Sequence, residues 1–198
     1  AAGGDGGAEP VHPAPVFDNP AICREAGLAA GVGTSGFTDE RLAQLRQLWG
    51  EEGAPCLVVP NFSVGAVLMM EFARTAARYF ESVEVIERHH STKPDAPSGT
   101  SLATAMGIAD SGGASAGASE ELVSGARGAD VGGVRVHAIR LPGLIAQQEV
   151  VMSNLGEVLS VEHLSTSYES FAGGALLAVR KVRSLDPGVH LGLASLLE

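Results

Sequence analysis

Two adjacent histidines, His89 and His90, are followed closely by Lys93 and Asp95. Histidine titrates near neutral pH, so it can give or take a proton under cellular conditions. Lys93 adds a fixed cation. Just downstream, Pro97-Ser98-Gly99-Thr100 reads as the opening of a helix with Ser98 as its cap. That leaves the backbone N–H groups of Gly99 and Thr100 pointing outward, which makes a cradle for a carboxylate or phosphate. One short segment thus carries a proton carrier, a cation and an anion cradle, the equipment for chemistry on a small acidic molecule. Glu87 reads as a brace at the end of a strand, and Asp95 as an acceptor that fixes the loop. Neighbouring side chains on a strand point to opposite faces, so His89 and His90 are poorly placed to share an ion, and no metal is expected.

The elements around this segment follow from periodicity. Val83 and Val85 alternate with Glu84 and Ile86, which predicts a strand leading into the histidines. A helix is predicted from Thr100 to about Ala109. Upstream, Asn19-Pro20 predicts a helix start and Gly27 its end. Leu28–Val32 reads as a strand, Thr38 as the cap of a helix burying Leu42, Leu45, Leu48 and Trp49, and Ala54–Pro60 as a second strand. This helix–strand alternation predicts a parallel α/β sheet, whose ligand loops lie beyond the carboxyl ends of the strands. Two loops qualify: Gly33-Thr34-Ser35-Gly36 and Val59-Pro60-Asn61-Phe62.

Ser63–Phe80 predicts a long amphipathic helix with Val64, Leu68, Phe72, Ala76 and Tyr79 on one face, and with Met69 and Met70 as core residues. Asp110–Gly133 is a Gly/Ala/Ser-rich loop in which Arg127 reads as solvated. Val134–Leu141, Leu144–Met152 and Glu157–His163 predict three strands in an antiparallel meander. Phe171–Arg183 reads as a last helix with Leu176, Leu177 and Val179 inward.

The 198 residues include 13 Lys and Arg against 23 Asp and Glu, a formal charge of -10. This balance argues against nucleic-acid and acidic-membrane binding. Cys23 and Cys56 form no disulfide framework or metal-spaced cluster, and Cys56 reads as a small buried residue. No apolar stretch reaches the ~18 residues a membrane span needs, and the start has no leader pattern. A cytoplasmic enzyme is the expectation. The chain begins with Ala1 rather than Met, and Ala1–Pro10 reads as an unstructured linker or scar.

The run Glu87-Arg88-His89-His90, Lys93 and Asp95-Ala96-Pro97-Ser98-Gly99-Thr100 resembles the signature of the dihydrodipicolinate reductase (4-hydroxy-tetrahydrodipicolinate reductase) family of bacterial lysine and diaminopimelate synthesis. Val32-Gly33-Thr34-Ser35-Gly36-Phe37 and Val59-Pro60-Asn61-Phe62 are similar to that family's two nicotinamide-side loops. The resemblance implies an α/β fold of two parts. Residues 11–62, with 172–198 packing back, would form a truncated Rossmann-like dinucleotide-binding domain. Residues 63–171 would form an α+β substrate and tetramerisation domain with a mostly antiparallel sheet.

It further implies reduction of a cyclic imine dicarboxylate by NADH or NADPH in a homotetramer. His89 would be the general acid, Lys93 would pair with a carboxylate or the region of the reacting nitrogen, and His90, Gly99 and Thr100 would bind substrate. Gly33, Thr34, Ser35, Val59, Pro60, Asn61 and Phe62 would contact the cofactor. The family opens with a strand and glycine-rich turn for the pyrophosphate, a unit of about 30 residues with no counterpart here; Gly3–Gly7 lacks the flanking strand and helix. This motivates an alternative: a non-catalytic remnant that keeps dicarboxylate binding and oligomerisation but not dinucleotide binding. Gln147 stands where relatives often carry His, with no evident cost, and Tyr168 stands where they carry Arg.

Overall fold

The computed structural model describes residues 13–33, 38–113, 117 and 119–197. The chain divides into two compact units, Ala1–Pro60 with Leu177–Glu198, and Asn61–Leu176.

The first unit is built on a parallel three-stranded sheet in the order β1 (Ala30–Gly33), β2 (Pro55–Val59), β8 (Gly188–Leu191). Every residue of β2 is buried, as a central parallel strand covered on both faces must be. Helix α2 (Asp39–Trp49) is capped by the Thr38 hydroxyl, which accepts from the Arg41 N–H at 3.3 Å. Leu42, Leu45 and Trp49 pack with Ala30, Cys56 and Val58; Leu48, expected inward, is exposed. Burial, with a smaller contribution from Cys23, pushes the Cys56 thiol up to about 12.

Helix α1 (Pro13–Glu25) begins earlier than expected, and Pro20 lies inside it instead of opening it. Proline removes one helical hydrogen bond without fixing where the helix starts. The end is as expected. Gly27, at φ +66°, donates to Arg24 O, and Leu28 donates to Cys23 O, the paired closure that a left-handed residue permits. Strand β8 was not anticipated. It has only four residues, and its register is set by pairing with β2.

The second unit has a five-stranded sheet in the order β4 (Ala129–Val131), β5 (Val134–Arg140), β3 (Ser82–His89), β6 (Ala146–Asn154), β7 (Glu157–Ser165). Only the β3–β5 pairing is parallel; β4–β5, β3–β6 and β6–β7 are antiparallel. The expected meander is therefore interrupted. β3 lies between β5 and β6, and the link from Leu141 to Ile145 passes over its carboxyl end, where the Leu141 N–H donates to His89 O at 3.1 Å. Two interstrand spacings, ~10 Å, are within reach of five extended residues.

Helix α3 (Val64–Ala76) is capped by the buried Ser63 and tightens into a 3-10 turn at Ala77–Tyr79. Its inward face is Ala66, Met69 and Ala73, not the anticipated Leu68, Phe72 and Tyr79, which are exposed. The small alanines let the helix backbone lie close on the sheet. With α4 (Gly99–Asp110) it covers a core of Val83, Val85, Val136, Val150, Met152 and Ile108. In α5 (Ala172–Lys181), Ala178 is buried whereas Leu176 and Val179, expected inward, are exposed.

Candidate active site

Burial alternates along β3, and the core-facing series Val83, Val85 is continued by Glu87. Its carboxylate is fully buried (0% exposed). An isolated carboxylate there would be very costly, so its partners decide whether it is tolerated. Arg140 donates to both oxygens at 2.8 Å, the Ser98 N–H donates to Oε1 at 3.1 Å, and His89 Nδ1 is hydrogen-bonded to Oε2. Burial pushes the Glu87 carboxyl up, but the hydrogen bonds from His89 and Arg140 outweigh it and hold it below the ordinary glutamate range.

The backbone explains the meeting. Residues i and i+2 share a strand face, which places His89 beside Glu87. The parallel register sets Arg140 opposite His89. Arg140 also donates to Asp95 O at 2.5 Å, so one guanidinium ties the histidine strand to the loop carrying Lys93. Lys93 Nζ is 2.6 Å from Asp95 Oδ1. Burial raises the Asp95 carboxyl, yet the Lys93 bond more than offsets this and keeps it below its usual range. The imidazole Nδ1 of His90 is hydrogen-bonded to Thr92 Oγ1 at 2.8 Å.

Ser98 caps α4 as expected: its Oγ accepts from the Ser101 N–H at 3.2 Å. Among the described residues, neither the Gly99 nor the Thr100 N–H has a protein partner, and the space beside the Gly99 Cα is open. That end of the helix offers bare donors to an anion. It is held from below by Gln148, which lies opposite Glu87 across the β3–β6 ladder. Gln148 accepts from Ser101 Oγ at 2.8 Å and donates to Thr104 Oγ1 at 2.7 Å. Asn61 Nδ2 donates to Thr100 Oγ1 at 3.3 Å, while its Oδ1 accepts from the Ser63 N–H at 2.8 Å.

The anticipated residues are therefore partly gathered. His89, Lys93, Gly99 and Thr100 are linked through Glu87, Arg140, Asp95 and Ser98, whereas among the described residues the His90 ring is tied only to its own turn. In the first unit, Gly33 and Val59 are register partners at the carboxyl ends of β1 and β2. The Val59 side chain is buried and Pro60 is exposed. Thr34 and Ser35 lie outside the described residues. Arg140 and Gln148 were missed. An arginine ending a strand before Pro142-Gly143 was the available signal for the first; nothing in the sequence marked the second. Arg127, read as solvated, instead bonds Glu84, whose other oxygen takes His137 Nε2 at 2.7 Å. Among the described residues no group of three or more His, Cys, Asp or Glu is arranged to hold a metal, and no helix is long and apolar enough to cross a membrane.

Residues 65–197 match the family described as "Dihydrodipicolinate reductase, C-terminus". The 4-hydroxy-tetrahydrodipicolinate reductase of Mycolicibacterium vanbaalenii is 51% identical over 195 residues, covering 95% of this chain and 78% of that protein. The chain belongs to the dihydrodipicolinate reductase family. The Streptomyces griseus reductase of the same name is 50% identical over 198 residues, with 96% of this chain and 78% of that protein covered. A solved dihydrodipicolinate reductase from Paenisporosarcina sp. TG-14, bound to dipicolinate, superimposes with a TM-score of 0.81 at 40% identity, covering 92% of this chain and 70% of that one. The signature around His89 and Lys93 thus lies in a reductase-family chain that spans 78% of the length of these curated relatives.

Proposed function

We propose that this chain reduces 4-hydroxy-tetrahydrodipicolinate to tetrahydrodipicolinate, with loss of water, in lysine and diaminopimelate synthesis. The observation that carries the reading is the cluster of buried Glu87 with His89 and Arg140 beside the open N-terminus of α4. A proton donor and a carboxylate cradle stand on one rigid frame. His89 protonates the ring carbon adjacent to the reduced one, and the Gly99 and Thr100 N–H groups hold one carboxylate. Lys93 and His90 complete the charge complement on the rest of the dicarboxylate. The dipicolinate bound by the Paenisporosarcina relative supports a small planar dicarboxylate as the ligand class.

NADH or NADPH, when bound, supplies the hydride. The residues present fit one end of such a group: Gly33 and Val59 sit side by side at the carboxyl ends of parallel strands, where nucleotides bind such sheets. Since Val59 is buried, its contribution is through backbone. In this reading residues 11–62 with 172–198 hold the dinucleotide, and residues 63–171 hold the dicarboxylate and build a homotetramer in the cytoplasm. Exposed Leu155, Val158 and Leu164 around β7 support self-association of that sheet.

Calorimetric titration with NADH, NADPH and 2,6-pyridinedicarboxylate tests the reading. Binding of both ligand types is expected. Binding of the dicarboxylate alone would instead make this a cofactor-blind, substrate-binding remnant.

A further inference from the structure

The proton-donor reading leaves Glu87, the most deeply buried charged group among the described residues, without a chemical task. Glu87 is far too well partnered for a mere brace. Its carboxylate takes two bonds from Arg140, one from the Ser98 N–H and one with His89 Nδ1. An ionised carboxylate only accepts hydrogen bonds. With Arg140 and Ser98 supplying donors to the other positions, the imidazole atom facing Glu87 must be the one carrying hydrogen.

We propose that Glu87, fixed by Arg140, is the positioning residue that keeps His89 protonated at Nδ1 and turns Nε2 outward as the atom that exchanges protons with the ligand. This rests on His89 being the proton donor of the proposed reaction. The ring is only 15% exposed, and its Nδ1 edge is taken up by Glu87, which leaves Nε2 as the nitrogen for the ligand. The same division of labour, a carboxylate holding one ring nitrogen so that the other can react, operates wherever histidine needs a defined tautomer. Arg140 performs a second part of the task. Its bond to Asp95 O couples the histidine's orientation to the loop that carries Lys93, so His89 and Lys93 are both set by one guanidinium. Lysine cannot reproduce a planar fork that spans two acceptors in this way.

The test is imidazole ¹⁵N NMR on the full chain with labelled histidine, the His89 signals assigned by their loss in His89→Gln. In the wild-type protein at mildly alkaline pH, the neutral His89 ring is expected to carry its hydrogen on Nδ1. In Glu87→Gln the carboxamide offers an N–H to the ring, and the Nε2–H tautomer should become the major form. Turnover should fall about 100-fold or more while KM for the dicarboxylate moves by less than about threefold.

Glu87→Gln leaves Arg140 without its anion and could fail to fold, so the double variant Glu87→Gln/Arg140→Met, which removes both charges, is measured beside it for the same expected change of tautomer. An Nε2–H tautomer in the wild-type protein overturns the proposal without any variant. An unchanged tautomer in a folded variant overturns it equally. A wild-type protein with the Nδ1–H tautomer and no turnover with either nicotinamide would refute the reductase reading and leave only the hold of Glu87 on the His89 tautomer standing.

Discussion

Ser63 and His163, one hundred residues apart in the chain, are joined Oγ to Nε2 at 3.0 Å. The serine is the buried cap of α3 and the histidine belongs to β7, so the bond anchors the helix start to the far edge of the sheet. Gly65 makes this possible, since a Cβ there would lie 2.7 Å from the His163 ring. Burial pushes the His163 imidazole below its ordinary value.

A neutral, half-buried histidine links stability to pH. The unfolded chain binds a proton near the ordinary pKa of ~6.5, while the folded protein resists until lower pH. His163 therefore contributes its full stability above ~6.5 and loses it as pH falls from there through the folded value. Urea midpoints of wild type and His163→Gln should differ most at pH 7.5, with the gap narrowing by pH 5.5. A gap independent of pH would show that His163 does not titrate in this way.

Arg140→Met should destabilise the protein by about 3–5 kcal/mol, because it leaves the Glu87 carboxylate buried without its main cation. The double variant with Glu87→Gln should recover more than half of that loss. The sign of the acid limb follows from the depressed Glu87 carboxyl. Its stabilisation is present above the unfolded value of ~4.3 and disappears as pH falls through the lower folded value. Chemical denaturation at pH 7 and at pH 4 measures both effects.

Gln148 is 5% exposed and satisfied on both ends by Ser101 and Thr104. Gln148→Leu removes one hydrogen bond from each of two buried hydroxyls, which keep only their bonds to Ser98 Oγ and Thr100 O, and a loss of about 1–2 kcal/mol is expected. Because those hydroxyls belong to the first turns of α4, affinity for 2,6-pyridinedicarboxylate should weaken several-fold as well. Calorimetry on the folded variant would show an unchanged affinity if Gln148 merely fills space.

What could be read from the sequence was local. The Ser98 and Thr38 caps, the Gly27 closure and the alternation along β3 depend on neighbours within a few residues, and all are found. What depends on distant partners was not readable. The face of α3 was misjudged because the bulky Leu68 and Phe72 suggest a core, whereas close packing favoured Ala66, Met69 and Ala73. The insertion of β3 between β5 and β6 has no signature in any one strand. Arg140 stayed hidden for the same reason: only the sheet register makes it a neighbour of His89.

The central position of β3 also governs when the site can exist. Glu87 and Arg140 are separated by 53 residues, and ribosomes add about 5–20 residues per second. For roughly 2–9 s of synthesis, the nascent polypeptide holds the histidine–lysine segment while its glutamate lacks the Arg140 guanidinium. The segment richest in recognisable chemistry is thus inert until a later, plainer strand arrives to complete it.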